Sequence, residues 1–245
     1  LDSFGMVITE ILSRSNEELI DTSAVWIADF EIFETSSLSE VFLPDLKRFE
    51  PAKGSARFSS GKRELFLDVD LPYVEYGEFR LDSLTINTTR SGNELLRNLH
   101  IVDLAYDTLT VPNIDVDFNR TEMGSEILLS INEYDSESNY RLGFDFRADT
   151  ISGAITRTMS IKDQIVLNGE NWKGKEGFEI TFTDGQVLTK NAQISKDQKT
   201  LGISKSDSES PIIIAAEGFE LASISGIIDT EVPVLDGIID GNLEL

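Results

Sequence analysis

From Leu65 the side chains alternate, with Leu65, Leu67, Val69 and Leu71 on one parity and Phe66, Asp68 and Asp70 on the other. A period of two predicts a strand with one face buried and one face wet. The pattern returns in Ile114, Val116 and Phe118, with Asp115, Asp117 and Asn119 facing away. It returns in Tyr140, Leu142, Phe144, Phe146 and Ala148 against Arg141, Gly143, Asp145 and Arg147. A fourth case is Phe178, Ile180 and Phe182 against Glu179, Thr181 and Thr183. Strands of this kind belong to antiparallel sheets. Asp184-Gly185, flanked by Thr183 and Gln186-Val187-Leu188, predicts a two-residue hairpin. Ser60-Gly61, Ser91-Gly92 and Asn168-Gly169 mark further turns. Between Phe79 and Ile86 the parity slips, which predicts a bulge near Asp82-Ser83.

Helical signals are few. Ser37 with Glu40 forms a capping-box pattern before Val41-Phe42-Leu43, and Pro44 stops the turn. Ser91 with Glu94 forms another before Leu95-Leu96. Each predicts a helix of one or two turns, too short to organise a domain. The fold class is therefore all-β. At one strand per ten to twelve residues, 245 residues supply about 20 strands, and open sheets rarely pass ~10 without curling or splitting. The sheet must close, stack, wind as a solenoid, or curl into a trough. Only the trough leaves its apolar face available to a guest.

The chain also repeats itself at an offset of 189 residues: Phe30-Glu31-Ile32 matches Phe219-Glu220-Leu221, and Pro44-Asp45-Leu46 matches Pro233-Val234-Leu235. After a slip of two, Gly54-Ser55-Ala56-Arg57-Phe58 matches Gly241-Asn242-Leu243-Glu244-Leu245. A small apolar turn, Ser37-Leu38-Ser39 or Ser223-Ile224-Ser225, stands between the Phe strand and the Pro. The repeat-like elements span 28–58 and 217–245, and a period that long predicts one serially built β architecture over 1–245.

At these residues the sequence resembles the TamB family, within the AsmA-like group of envelope proteins. The segment Leu235-Asp236-Gly237-Ile238-Ile239-Asp240-Gly241-Asn242-Leu243-Glu244-Leu245 follows that family's Leu-x-Gly-x-x-x-Gly-x-Leu-x-Leu element position by position. The first copy departs from it, because Lys47-Arg48 follow Leu46 and only Gly54 remains of the glycine pair. Ile165 to Trp172, followed by the Phe178 to Leu188 hairpin, is also similar to the family's strands. The resemblance implies an elongated, curled, mainly antiparallel sheet, a β-taco or half-pipe with an apolar concave face. It further implies a periplasmic location, an inner-membrane anchor and an Omp85-type (TamA-like) outer-membrane partner. The implied role is non-enzymatic: lipid passage across the periplasm, outer-membrane protein assembly, or both. On that reading Leu65, Leu67, Val69, Leu71, Ile114, Val116, Phe118, Leu142, Phe144, Phe146, Phe178, Ile180 and Phe182 are the groove that holds acyl chains. The alternative is a closed β-sandwich or solenoid serving as an adhesin or carbohydrate-binding module, with Trp172, Tyr73 and Tyr76 as exposed aromatics.

Composition narrows the chemistry. Lys plus Arg is 21 against 44 Asp plus Glu, a net charge of −23. Such a surface repels phosphate backbones, so nucleic acid is not an expected partner. No cysteine is present, which removes thiolate metal sites and cysteine nucleophiles and suits an oxidising compartment. The longest apolar runs, at 24–28 and 212–216, have five residues, against the ~20 of a helical span. The chain opens at Leu1-Asp2-Ser3 and stops mid-pattern, so we expect a fragment whose membrane anchor lies outside it. Asp68 with Asp70 and Asp115 with Asp117 each place two carboxylates on one strand face, the arrangement glycoside hydrolysis uses. That face is the polar one, which predicts a solvated exterior. His100 is the single histidine and no Gly-x-Ser-x-Gly element accompanies it, which predicts an ordinary surface or loop residue. Lys173-Gly174-Lys175 lacks the Walker pattern and reads as a turn. No cofactor, metal or catalytic residue is expected.

Overall fold

A computed structural model describes residues 25–33, 43–132, 139–151, 154–162, 165–183, 186–207, 209–227 and 236–245. The described residues form an all-β, curled, mainly antiparallel sheet of 18 strands, not closed into a barrel. The Ser37–Glu40 capping box lies outside the described residues.

The first half is a meander. β1 (Val25–Ile32) pairs with β3 (Ala52–Ser59), and β3 lies along the first half of β4 (Glu64–Tyr76). The short β2 (Leu46–Phe49) covers the second half of β4. β5 (Phe79–Ser91), β6 (Glu94–Tyr106), β7 (Leu109–Thr121), β8 (Gly124–Asn132) and β9 (Asn139–Ile151) follow by hairpin pairing. The pairs Tyr76↔Phe79, Ser91↔Glu94, Tyr106↔Leu109 and Thr121↔Gly124 leave two residues in every loop from β4 to β8. Gly92 takes a φ of 60° in one of these loops, a conformation that costs a glycine little. The helix expected after Ser91 is therefore absent. Glu94, Leu95 and Leu96 open β6, because the hairpin across Gly92-Asn93 outcompetes a one-turn helix with no face to bury.

The bulge expected near Asp82-Ser83 is also absent. Leu71↔Leu84 and Val74↔Leu81 hold one unbroken register, and Ser83 instead adopts a φ of 49°. Asn113 does the same at 45°, and the flanking pairs place Pro72, Ser83, Val102 and Asn113 opposite one another across β4 to β7. The four strands thus share a transverse crease at which side-chain parity flips in step. Pro72 has no N–H to give the ladder there. Val111 and Ile114, on either side of the crease in β7, both pack on the same apolar cluster.

At β9 the sheet forks. β10 (Ala154–Ile161) takes one end of β9 and leads to β13 (Glu179–Thr183) and β14 (Gln186–Lys190). β11 (Ile165–Leu167) takes the other end at Arg141, then pairs with β12 (Glu170–Gly174). From β12 the sheet runs through β15 (Gln193–Lys196), β16 (Lys199–Ser204), β17 (Ile213–Glu220) and β18 (Ile238–Glu244). The branches touch again where the Thr189 N–H donates to the Lys205 carbonyl at 3.0 Å. The predicted Asn168-Gly169 turn joins β11 to β12, with φ of 51° and 72°. The predicted 183–186 hairpin is present as Thr183↔Gln186. Lys173 and Gly174 lie in β12, not in a turn: Gly174 packs face-on to Ile161 Cγ2, 2.5 Å from where a Cβ would stand.

The single described helix, α1 (Ala222–Ser225), falls on the Ser223-Ile224-Ser225 turn. In both repeat-like elements the Gly-started strand lies antiparallel to the Phe strand, β3 on β1 and β18 on β17. Phe30 pairs with Gly54 and its ring fills the space a Cβ would need, whereas Phe219 pairs with Ile239 and Gly241 has open space around it.

The buried cluster sits at the fork: Ile131, Tyr140, Ile165, Leu167, Trp172 and Phe219. Trp172 and Phe219 are 1% and 2% exposed, with ring centroids 5.6 Å apart. The turn after α1 closes against Tyr140, whose Oη lies 2.6 Å from where a Cβ on Gly226 would stand.

Candidate functional site

Directly paired residues of an antiparallel ladder share a face. The register therefore assembles the predicted stripes into one surface. One row runs Phe30, Gly54, Val69, Ile86, Leu99, Val116, Leu129, Leu142 across eight strands, about 34 Å at the usual strand spacing. The next runs Leu67, Thr88, Arg97, Phe118, Ile127, Phe144, Ile161. A third runs Leu65, Arg90, Leu95, Arg120, Ser125, Phe146, Met159, Ile180. Leu71 and Ile114 belong to the row beside the crease, and Phe182 joins through Arg157. Phe178 stands just before β13, its N–H held by the Lys175 carbonyl at 3.0 Å.

The surface is sealed at one corner and open elsewhere. Ile114 and Leu142, expected in a groove, pack against the buried cluster under β12, β15, β16 and β17. Leu67, Val69, Leu71, Val116, Phe118, Phe144, Phe146 and Ile180 are all only half-buried, and Phe182 is exposed. The cluster draws no member from β1 to β6. Leu65, at the limit of burial, stands between Phe58 and Arg90 in the ladder.

The charge on this surface is one-sided. Along β3 to β10, every position on the apolar parity is uncharged except Arg90, Arg97, Arg120 and Arg157. All four stand toward the same end of the sheet. Arg97 Nε donates to Thr88 Oγ1 at 3.3 Å, and Arg90 Nε to the Gly92 carbonyl at 3.1 Å. Burial, with the repulsion of Arg120 and Arg63, holds the Arg90 guanidinium below its ordinary pKa. The opposite end carries aromatics: Tyr76, Phe79 and Tyr106 are adjacent in the ladder and exposed, with Phe79 and Tyr106 centroids 4.7 Å apart. A hydrogen bond to Glu78 raises the Tyr106 pKa.

The remaining candidates point outward. Asp68 and Asp70 are exposed on the opposite face, Asp70 facing Lys53 and Asp68 facing Ser55 and Asn87. Asp117 accepts from Asn98 Nδ2 at 2.8 Å. His100 lies within β6, not in a loop, with Nδ1 2.8 Å from Asp115 Oδ1. Among the described residues no group of three or more His, Asp and Glu side chains is placed to hold a metal ion, and no helix is long and apolar enough to cross a membrane. Of the aromatics suited to sugar contact, Trp172 is buried and its indole N–H finds no acceptor. Tyr73 is half-buried under the Arg48 guanidinium, 4.5 Å from the ring centroid, and only Tyr76 is exposed.

Sequence reasoning missed the arginines because the β7 stripe is followed only from Ile114 to Phe118 and no stripe is drawn on β5 or β6. The signal that finds them is parity: Arg97 falls on the positions of Leu95 and Leu99, and Arg120 continues Val116 and Phe118. Comparison with family models, with curated proteins and with solved structures gave no match to this chain.

Proposed function

We propose that the chain is part of a non-enzymatic periplasmic envelope protein, similar to TamB, whose apolar concave face carries lipid acyl chains between inner and outer membrane. The membrane anchor and the contact with an Omp85-type outer-membrane protein then belong to the full-length protein, and support of outer-membrane protein assembly is part of the same role. The observation that carries this reading is the half-buried apolar ladder over β3 to β9, which runs on beyond the sealed cluster. Each methylene that an acyl chain buries there contributes about 0.8 kcal/mol, and no bond need be made or broken. The carboxylate-rich outer face keeps such a trough in solution.

Native mass spectrometry of the purified chain, followed by organic extraction, tests the groove. The expected result is co-purifying phospholipid near one per chain, lost in Phe144→Asp with the fold retained. A lipid-free protein that also ignores added fluorescent fatty acid would overturn the proposal. In the full-length protein, Phe144→Asp or Ile180→Asp is expected to stop lipid passage.

A further inference from the structure

The inner surface of β3 to β10 carries no carboxylate, in a protein with 44 of them. Its only ionised groups are four arginines, and three of these form a compact set. Arg90 and Arg120 stand on one row with Leu95 between them, so their Cα atoms are two strand spacings, about 10 Å, apart. Arg97 sits one inner step along β6 from Leu95, completing a triangle. Guanidiniums on long stems reach easily across such a span. Several basic residues outside this surface are paired with acids: Lys162 with Glu126, Lys196 with Glu170, Lys199 with Glu220, Arg80 with Asp82. No ion pair joins Arg90, Arg97 or Arg120 to a described carboxylate. Three like charges on an apolar surface repel one another and lose hydration, a cost that a bound anion offsets.

We infer that Arg90, Arg97 and Arg120 form a binding site for the phosphate headgroup of an acyl lipid whose chain lies along the aliphatic rows toward the crease. The inference rests on the groove reading above and adds to it a polarity and a headgroup class. Phosphate is the occupant because a tetrahedral group with several free oxygens can accept from three guanidiniums at once. A carboxylate offers two oxygens to a single fork. The aromatic end, with Tyr76, Phe79 and Tyr106, offers no cation on the same surface, so the lipid is held in one direction.

Fluorophore-labelled lysophosphatidate, the monoacylglycerol of the same chain length and the corresponding fatty acid are titrated into the purified chain. The wild type is expected to bind lysophosphatidate at least ten-fold more tightly than monoacylglycerol, with the fatty acid between them. In the Arg90→Gln, Arg97→Gln, Arg120→Gln triple variant that preference should vanish while monoacylglycerol affinity stays unchanged. Should the triple variant unfold, Arg120→Gln alone, which removes none of the hydrogen bonds described, is expected to lower the preference at least three-fold. Equal affinity for the three lipids in the wild type, or a preference kept in the folded variants, overturns the headgroup site and leaves the groove standing. Tighter binding of the fatty acid than of lysophosphatidate overturns the phosphate assignment. Failure of all three lipids to bind overturns the groove itself and the headgroup site with it.

Discussion

The fork and the meander are built from the same kind of strand and end in different physical states. At the fork, short strands of three to six residues turn back over the inner ends of β7 to β9, and Trp172, Phe219 and Ile165 are shut away from water. In the meander, the strands from β4 to β7 are thirteen residues long, regular, and joined by two-residue loops, yet their aliphatic rows stay half-exposed. Regular pairing satisfies the backbone in both. What differs is whether a second layer returns over the apolar side. The lesson is that alternation specifies a face to be covered and says nothing of what covers it.

The comparison predicts a steep difference in response to truncation. Trp172→Ala removes the largest side chain of the cluster and is expected to cost about 3–5 kcal/mol, read from the urea midpoint. A loss below ~2 kcal/mol would mean that the fork is no better packed than the meander. Gly174→Ala comes next, at about 1–3 kcal/mol, because the new methyl would meet Ile161 Cγ2 at 2.5 Å. Leu99→Ala, in the middle of the meander, is expected to cost only ~1 kcal/mol, since a half-buried leucine surrenders only part of its transfer free energy. A cost like that of Trp172 would show the meander face to be sealed as well.

The smallest effect concerns acid. Glu170 lies against Lys196, and that hydrogen bond holds its carboxyl below the ordinary carboxylate range. A depressed folded pKa adds stability that is present above the unfolded value and lost as pH falls through the folded one. The urea midpoint should therefore decline on acidification below the ordinary carboxylate range, and Glu170→Gln should show a shallower decline. Identical acid profiles for the two proteins would remove Glu170 from the account. The pair is partly exposed, so the difference is small.

Much of the fold was legible. The three stripes that begin at Leu65, Ile114 and Tyr140 lie in strands, and the fourth lies in β13 except for Phe178, which stands just before it. Asn168-Gly169 and the 183–186 hairpin were readable because turn chemistry is local. Two local readings failed for a common reason. The helix cap at Ser91 to Glu94 and the bulge at Asp82-Ser83 are readings of local pattern alone, while the conformations there are set by neighbours across the ladder. The site was legible only in part. Phe144 and Val116 could be placed on a greasy face from spacing alone, but the convergence of Arg90, Arg97 and Arg120 needs the register of three strands.

The amino-acid sequence by itself determined the strands, their two faces and the acidic exterior, because period two and turn residues act over a few neighbours. Tertiary structure decided the rest: the crease from Pro72 to Asn113, the fork at β9, and the burial of Trp172 beside Phe219. These depend on pairings between segments far apart in the chain, whose register is fixed collectively across the sheet. The same collective register sets Ile114 and Leu142 against the core while leaving Val69, Ile86 and Leu99, on neighbouring positions of the same surface, half-buried and away from it.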